Sequence, residues 1–147
     1  MSTELSKFPW SFELPPGWML IESSRAFGWN ELERDPCEAI VPSDHDATLR
    51  LFTFDPGERG VPAAAWAAAA AHFSTRRGWP ANPARYGAFD GFEARQPRDG
   101  VHWRLWWLEA SGTPLNAVYQ CPPALAGRDD FAVESILSTL TLRRSPG

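Results

Sequence analysis

Between Pro97 and Cys121 the chain reads as one long strand with a tight turn at each end. Pro97-Arg98-Asp99-Gly100 is a hairpin signal, because Asp-Gly tolerates the positive φ that a two-residue turn demands. Val101–Ala110 then runs without a breaker. Ser111-Gly112-Thr113-Pro114 turns the chain again, and residues 115–121 return beside it. Turns this short join only antiparallel neighbours, since a parallel crossover needs a dozen residues or more. On the long strand Val101, Trp103, Leu105 and Trp107 point to one side. His102, Arg104, Trp106 and Leu108 point to the other, with Asn116, Val118 and Gln120 as their expected neighbours on the next strand. Bulky side chains on both sides imply that both sheet faces are covered.

The remaining elements follow the same reading. Strands are predicted over 8–14, where Pro15-Pro16-Gly17 stops the chain, and over 18–21, 38–42 and 47–55. Pro62 suits the first turn of a helix over 62–77, and Gly78 its end. Trp66, Ala70, Phe73 and Arg77 share one face of that helix. Short strands at 85–88 and 91–96 flank Asp90-Gly91. Asp129 or Asp130 caps a closing helix that reaches Leu140, with Phe131, Val133, Ile136, Leu137 and Leu140 as its apolar positions. No βαβ alternation appears, so the expected class is α+β, an antiparallel sheet with helices packed on it. The 147 residues form one domain, ordered from about Phe8 to Leu142. Its expected core includes Trp66, Phe73, Trp103, Leu105, Ile136 and Leu137.

Composition narrows the setting. Eight tryptophans supply a large aromatic core, and a net charge of −4 argues against a general nucleic-acid binder. No run of 18 apolar residues is present, so no membrane-spanning helix is expected. Met1-Ser-Thr-Glu-Leu-Ser-Lys7 lacks a charged segment followed by an apolar one, which points to the cytoplasm. Cys37 and Cys121 are then expected as two reduced, buried thiols. A single lysine, Lys7, against thirteen arginines fits a GC-rich bacterial source.

Two local patterns carry a resemblance. Phe12-Glu13-Leu14-Pro15-Pro16-Gly17-Trp18 is similar to the opening of PsbP-like domains. The later order is similar too: glycine-marked strands around Tyr86-Gly87 and Gly91-Phe92, a long hairpin, and a closing Ser135-Ile-Leu-Ser-Thr-Leu140 helix. That group includes a photosystem extrinsic subunit, a Ran-binding transport factor, bacterial DcrB-type proteins and chaperones of secreted effectors. The resemblance implies an αβα sandwich and no shared catalytic motif. It also implies a role in binding other proteins, with a secreted effector or a second copy as partner.

The chemistry-bearing residues agree with a non-catalytic reading. Asp44-His45-Asp46 reads as a solvated polar turn rather than a metal site, and no cofactor is called for. No Gly-x-Ser-x-Gly elbow or phosphate-binding glycine loop exists. Glu93 and Glu109 read as rim carboxylates rather than an acid–base pair. The candidate interaction surface is the stripe His102, Arg104, Trp106, joined by Trp29, because Trp and Arg dominate binding hot spots. The alternative is a small-ligand binder or small enzyme with a cleft near His102 and Arg104.

Overall fold

The computed structural model describes residues 8–23, 37–53 and 60–143. Seven strands form one antiparallel sheet: β2 (Trp18–Ser23), β3 (Cys37–Pro42), β4 (Thr48–Phe52), β5 (Asn82–Tyr86), β6 (Phe89–Arg98), β7 (Val101–Ala110) and β8 (Thr113–Cys121). Their spatial order is β2-β3-β4-β8-β7-β6-β5. Helix α1 (Ala63–Arg76) lies over β6 and β7 on one face. Helix α2 (Asp130–Ser138) closes the other face. The two-residue strands β1 (Trp10–Ser11) and β9 (Thr141–Leu142) pair as a separate ribbon on the α2 side.

The larger core lies under α2. It joins Leu49 and Leu51 of β4, Trp106 and Leu108 of β7, and Leu115, Ala117 and Tyr119 of β8 to Val133, Ile136 and Leu137. The smaller core, under α1, holds Cys37, Phe52, Leu105 and Val118, with Trp103 and Trp107 packed beside it. Cys37 and Cys121 are both buried and free, and they belong to different cores.

Turn chemistry accounts for the meander. Asp99 and Gly100 both have positive φ, 55° and 75°, as do Ser111 and Gly112, 50° and 84°. Each pair is a two-residue turn whose twist matches its strands. Thr113 and Pro114 therefore belong to β8, and the observed register lies one residue away from the expected one. Arg104 sits opposite Tyr119 and Trp106 opposite Ala117, not beside Gln120, Val118 and Asn116. A one-residue shift exchanges the two faces of a strand.

Other expectations change as well. The β5–β6 turn is Gly87-Ala88 rather than Asp90-Gly91, since Tyr86 pairs with Phe89. Gly87 has φ 60°, and a Cβ there would strike the Leu140 backbone; one on Gly91 would strike the Trp107 carbonyl. The first predicted strand shrinks to β1.

Helix α1 buries Ala63, Ala67, Ala71 and Ser74, while Phe73 is 58% exposed and Trp66 only partly buried. The sheet beneath already carries Trp103 and Trp107, so the helix approaches through its smallest side chains. Phe73 packs instead against the Arg77 guanidinium at 4.5 Å. Trp103 is likewise only partly buried, and Phe131 is 86% exposed.

Candidate functional site

Arg104 points from β7 toward α2, and its side chain is 1% exposed. A buried guanidinium requires compensating charge and hydrogen bonds. Three carboxylates supply them. Nη2 donates to Glu93 Oε1 and Oε2 at 3.2 and 3.3 Å and to Glu134 Oε2 at 3.1 Å. Nη1 donates to Asp130 Oδ1 at 3.2 Å. Asp130 and Glu134 stand one helical turn apart at the start of α2, so the cluster fastens that helix to the sheet.

The guanidinium also lies over the Trp106 ring at 4.6 Å. Glu93 accepts further hydrogen bonds from Tyr86 Oη at 2.7 Å and Trp106 Nε1 at 3.1 Å. Burial, then the Glu93 contact, pushes the Tyr86 phenol up to about 12. Arg95 joins at the rim, 3.0 Å from Asp130.

A second polar chain lies along the same face. His45, in the β3–β4 turn, is not solvated: its side chain is 11% exposed. Nδ1 faces Asp44 Oδ1 at 2.6 Å, and Nε2 faces both Asp129 oxygens at 2.9 Å. Asp129 also accepts the Tyr119 hydroxyl at 2.5 Å. The Asp129 side chain makes no cap bond to α2; it is committed to Tyr119 and His45 instead.

Hydrogen bonding to Asp129 raises the His45 pKa, and the Asp44 contact adds to the rise against burial. His45 in turn lowers the Asp44 pKa. Both ring nitrogens facing carboxylates describe an imidazolium. Asp129 and Tyr119 are buried, so this chain clamps the β3–β4 turn to the start of α2. Among the described residues no group of three or more His, Cys, Asp or Glu side chains could hold a metal ion.

The sign of the His45 shift sets a pH dependence. A pKa raised on folding contributes stability in full below the unfolded value near 6.5. That contribution is lost as pH rises through the folded value. Thermal melts of the protein and of His45→Gln should therefore differ most at acidic to neutral pH and converge on the alkaline side. A constant difference across that range would remove the imidazolium from the clamp.

The expected interaction stripe is thus mostly internal. Arg104 and Trp106 are buried, with Trp106 at 0% exposure. Partly buried His102 has an Nε2 without a partner among the described residues. Burial, then Arg95, lowers its pKa. Trp29 lies outside the described residues. A ligand cleft at Arg104 is also displaced, because the chain's own carboxylates already take both terminal nitrogens. Glu93 and Glu109 lie on opposite sheet faces: Glu93 pairs across from Trp106 and Glu109 from Asp90.

One run of consecutive exposed apolar residues lies at a sheet edge. Met19, Leu20 and Ile21 of β2 are 51%, 43% and 47% exposed. Among the described residues β2 pairs only with β3, and none of them pairs with its outer backbone edge. The opposite edge, β5, carries Pro83 and an exposed Arg85 that contacts Asp90 at 3.5 Å. Proline and charge are common devices against edge pairing, and β2 has neither between Trp18 and Ile21. Sequence reading missed this site, since a short apolar strand looks the same at an edge as in a core. An open groove of about 500 Å³ also runs between α1 and β5–β6, lined by Ala64, Ala67, Ala84, Phe92 and Glu109 among others.

A protein of Bacteroides thetaiotaomicron VPI-5482, known from its crystal structure, has the same fold: TM-score 0.60, 15% identity, 95% of this chain covered. This chain spans about half of that protein's length, 47%. LpqN, involved in cell envelope biogenesis of Mycobacterium tuberculosis, is more distant, with a TM-score of 0.39, 13% identity, and 92% of this chain and 83% of LpqN covered. No protein-family model matches the chain. No curated protein matches it either. The fold is thus shared with a bacterial protein, and its α+β architecture agrees with the sequence expectation. Among the described residues no helix is long and apolar enough to cross a membrane.

Proposed function

We propose that this chain is a non-catalytic bacterial binding domain of PsbP-like architecture that engages another polypeptide through the outer edge of β2. The observation that carries the reading is this edge, unpaired among the described residues, with Met19, Leu20 and Ile21 exposed along it. An unpaired edge offers a ladder of backbone donors and acceptors, and alternate side chains on the two faces add selectivity. The two polar clusters fit this reading as fasteners. They hold α2 and the β3–β4 turn on the sheet and leave the recognition strand to a rigid scaffold.

The test is affinity capture from native lysate with the wild-type chain and with Leu20→Lys. Lysine at an edge discourages strand addition and leaves the buried cores untouched. A bound polypeptide, including a copy of the bait, should fall by about tenfold or more in the variant, equivalent to roughly 1.4 kcal/mol. Equal recovery by both proteins would move the interface away from β2. A ligand-specific rise in melting temperature, abolished by Ala64→Trp in the α1 groove, would instead support small-ligand binding.

A further inference from the structure

We infer that the occupant of the β2 edge is a second copy of this chain, paired antiparallel through β2 about a two-fold axis normal to the sheet. The inference rests on the proposed binding reading and names its partner.

Any occupant must be an extended strand, since the edge offers backbone groups at strand spacing. It must also carry apolar side chains on both faces, because Met19 and Ile21 lie on one side of β2 and Leu20 on the other. β2 itself meets both demands: Trp18, Met19, Leu20 and Ile21 are consecutive and uncharged.

The symmetry then restricts the register, and side-chain matching selects it. A two-fold axis normal to the sheet keeps each residue on its own face, and residues directly opposite must share a face. The axis must therefore pass through a residue rather than between two. Centred on Leu20, it sets Leu20 against the partner's Leu20, Met19 against the partner's Ile21, and Trp18 against the partner's Glu22. Apolar side chains meet apolar side chains on both faces. Position 22, the strand's one formally charged residue, then stands opposite position 18 in the register rather than opposite its own copy.

The other edge explains why the assembly closes as a dimer. Pro83 removes a donor from β5 and Arg85 places a charge on it, so pairing does not continue there into a filament. One short strand pair makes a small interface, and the association is correspondingly weak and concentration-dependent.

Sedimentation equilibrium of the purified chain should show monomer and dimer exchanging in the range of tens of micromolar, estimated from the small interface. Leu20→Lys should raise the dissociation constant at least about tenfold with an unchanged circular dichroism spectrum. A second readout tests the register. At the axis, the two Leu20 Cα atoms stand about 4.5–5.5 Å apart, within disulfide reach. Leu20→Cys should therefore give a covalent dimer under mild oxidation. Met19→Cys places its thiols on a diagonal of about 7–8 Å and should cross-link far less, as should the exposed control Thr75→Cys. The native thiols are buried in separate cores.

A wild-type chain that stays monomeric at several hundred micromolar would overturn the proposal. So would a dimer that Leu20→Lys leaves intact, or equal cross-linking at all three positions. Loss of a lysate partner in Leu20→Lys, with a monomeric wild type, would retain the binding reading and assign the edge to a foreign strand. Failure of both experiments would remove both readings.

Discussion

Arg104→Met should destabilise the domain by about 3–5 kcal/mol, the range for removing one partner from a buried ion cluster. The guanidinium is 1% exposed and answers Glu93, Asp130 and Glu134 together. Without it, three carboxylates remain side by side at the junction of β6 and α2, and Glu93 keeps only its Tyr86 and Trp106 donors. For a domain of ordinary stability, 5–15 kcal/mol, that is a large share of the total. Urea denaturation monitored by tryptophan fluorescence measures it through the midpoint at constant slope. Adding Glu93→Gln to Arg104→Met should cost less than the sum of the two single changes, because one of the stranded charges is gone. A midpoint unchanged in Arg104→Met would mean that α2 is held by its apolar face alone.

Trp106→Ala should be nearly as severe, about 3–5 kcal/mol, since a fully buried aromatic ring leaves a large cavity. The ring also supports the Arg104 guanidinium from one side and meets Tyr86 edge-on at 6.5 Å. Trp103→Ala, on the opposite sheet face and only partly buried, should lose much less, about 1–2 kcal/mol. The same denaturation experiment ranks the two. A larger loss for Trp103 would place the principal core under α1 rather than under α2.

The contrast between these tryptophans shows where sequence reading works on this chain. The meander was legible because Asp99-Gly100 and Ser111-Gly112 are turn pairs with a known backbone requirement, and both adopt it. The face assignment along β7 followed from the pleat alone. Its register against β8 did not, because Ser111-Gly112-Thr113-Pro114 does not state the loop length, and a loop one residue longer would set residues 116, 118 and 120 on the Arg104 side instead.

The helices divide in the same way. Propensity located α1, but the large residues of Ala63–Arg76 suggested a buried face that the crowded sheet cannot accommodate, and alanines line it instead. In α2, Phe131 looked apolar enough to be core, yet Asp130 and Glu134 turn toward Arg104 and leave it outside.

The polar clusters were the least legible part. Arg104 meets Glu93, Asp130 and Glu134 across separations of 11, 26 and 30 residues, and no local pattern marks such a group as buried. An arginine beside tryptophans fits an exposed anchor equally well by composition. Asp129 likewise carries the signature of a helix cap, while its carboxylate serves Tyr119 and His45, the latter 84 residues away. The β2 edge was hidden for a topological reason. Whether a strand lies inside a sheet or at its border depends on the order of seven strands, and that order was not written in the strand.

Photo-cross-linking in cells that produce the chain tests the central claim most directly. A photoreactive amino acid is placed at Leu20 of β2 in one strain and at Phe131, the more exposed apolar side chain on α2, in another. The account predicts discrete covalent adducts from position 20, of the chain with itself or with another polypeptide, and only background from position 131. Adducts from position 131 with none from position 20 would contradict it and place the contact surface on α2.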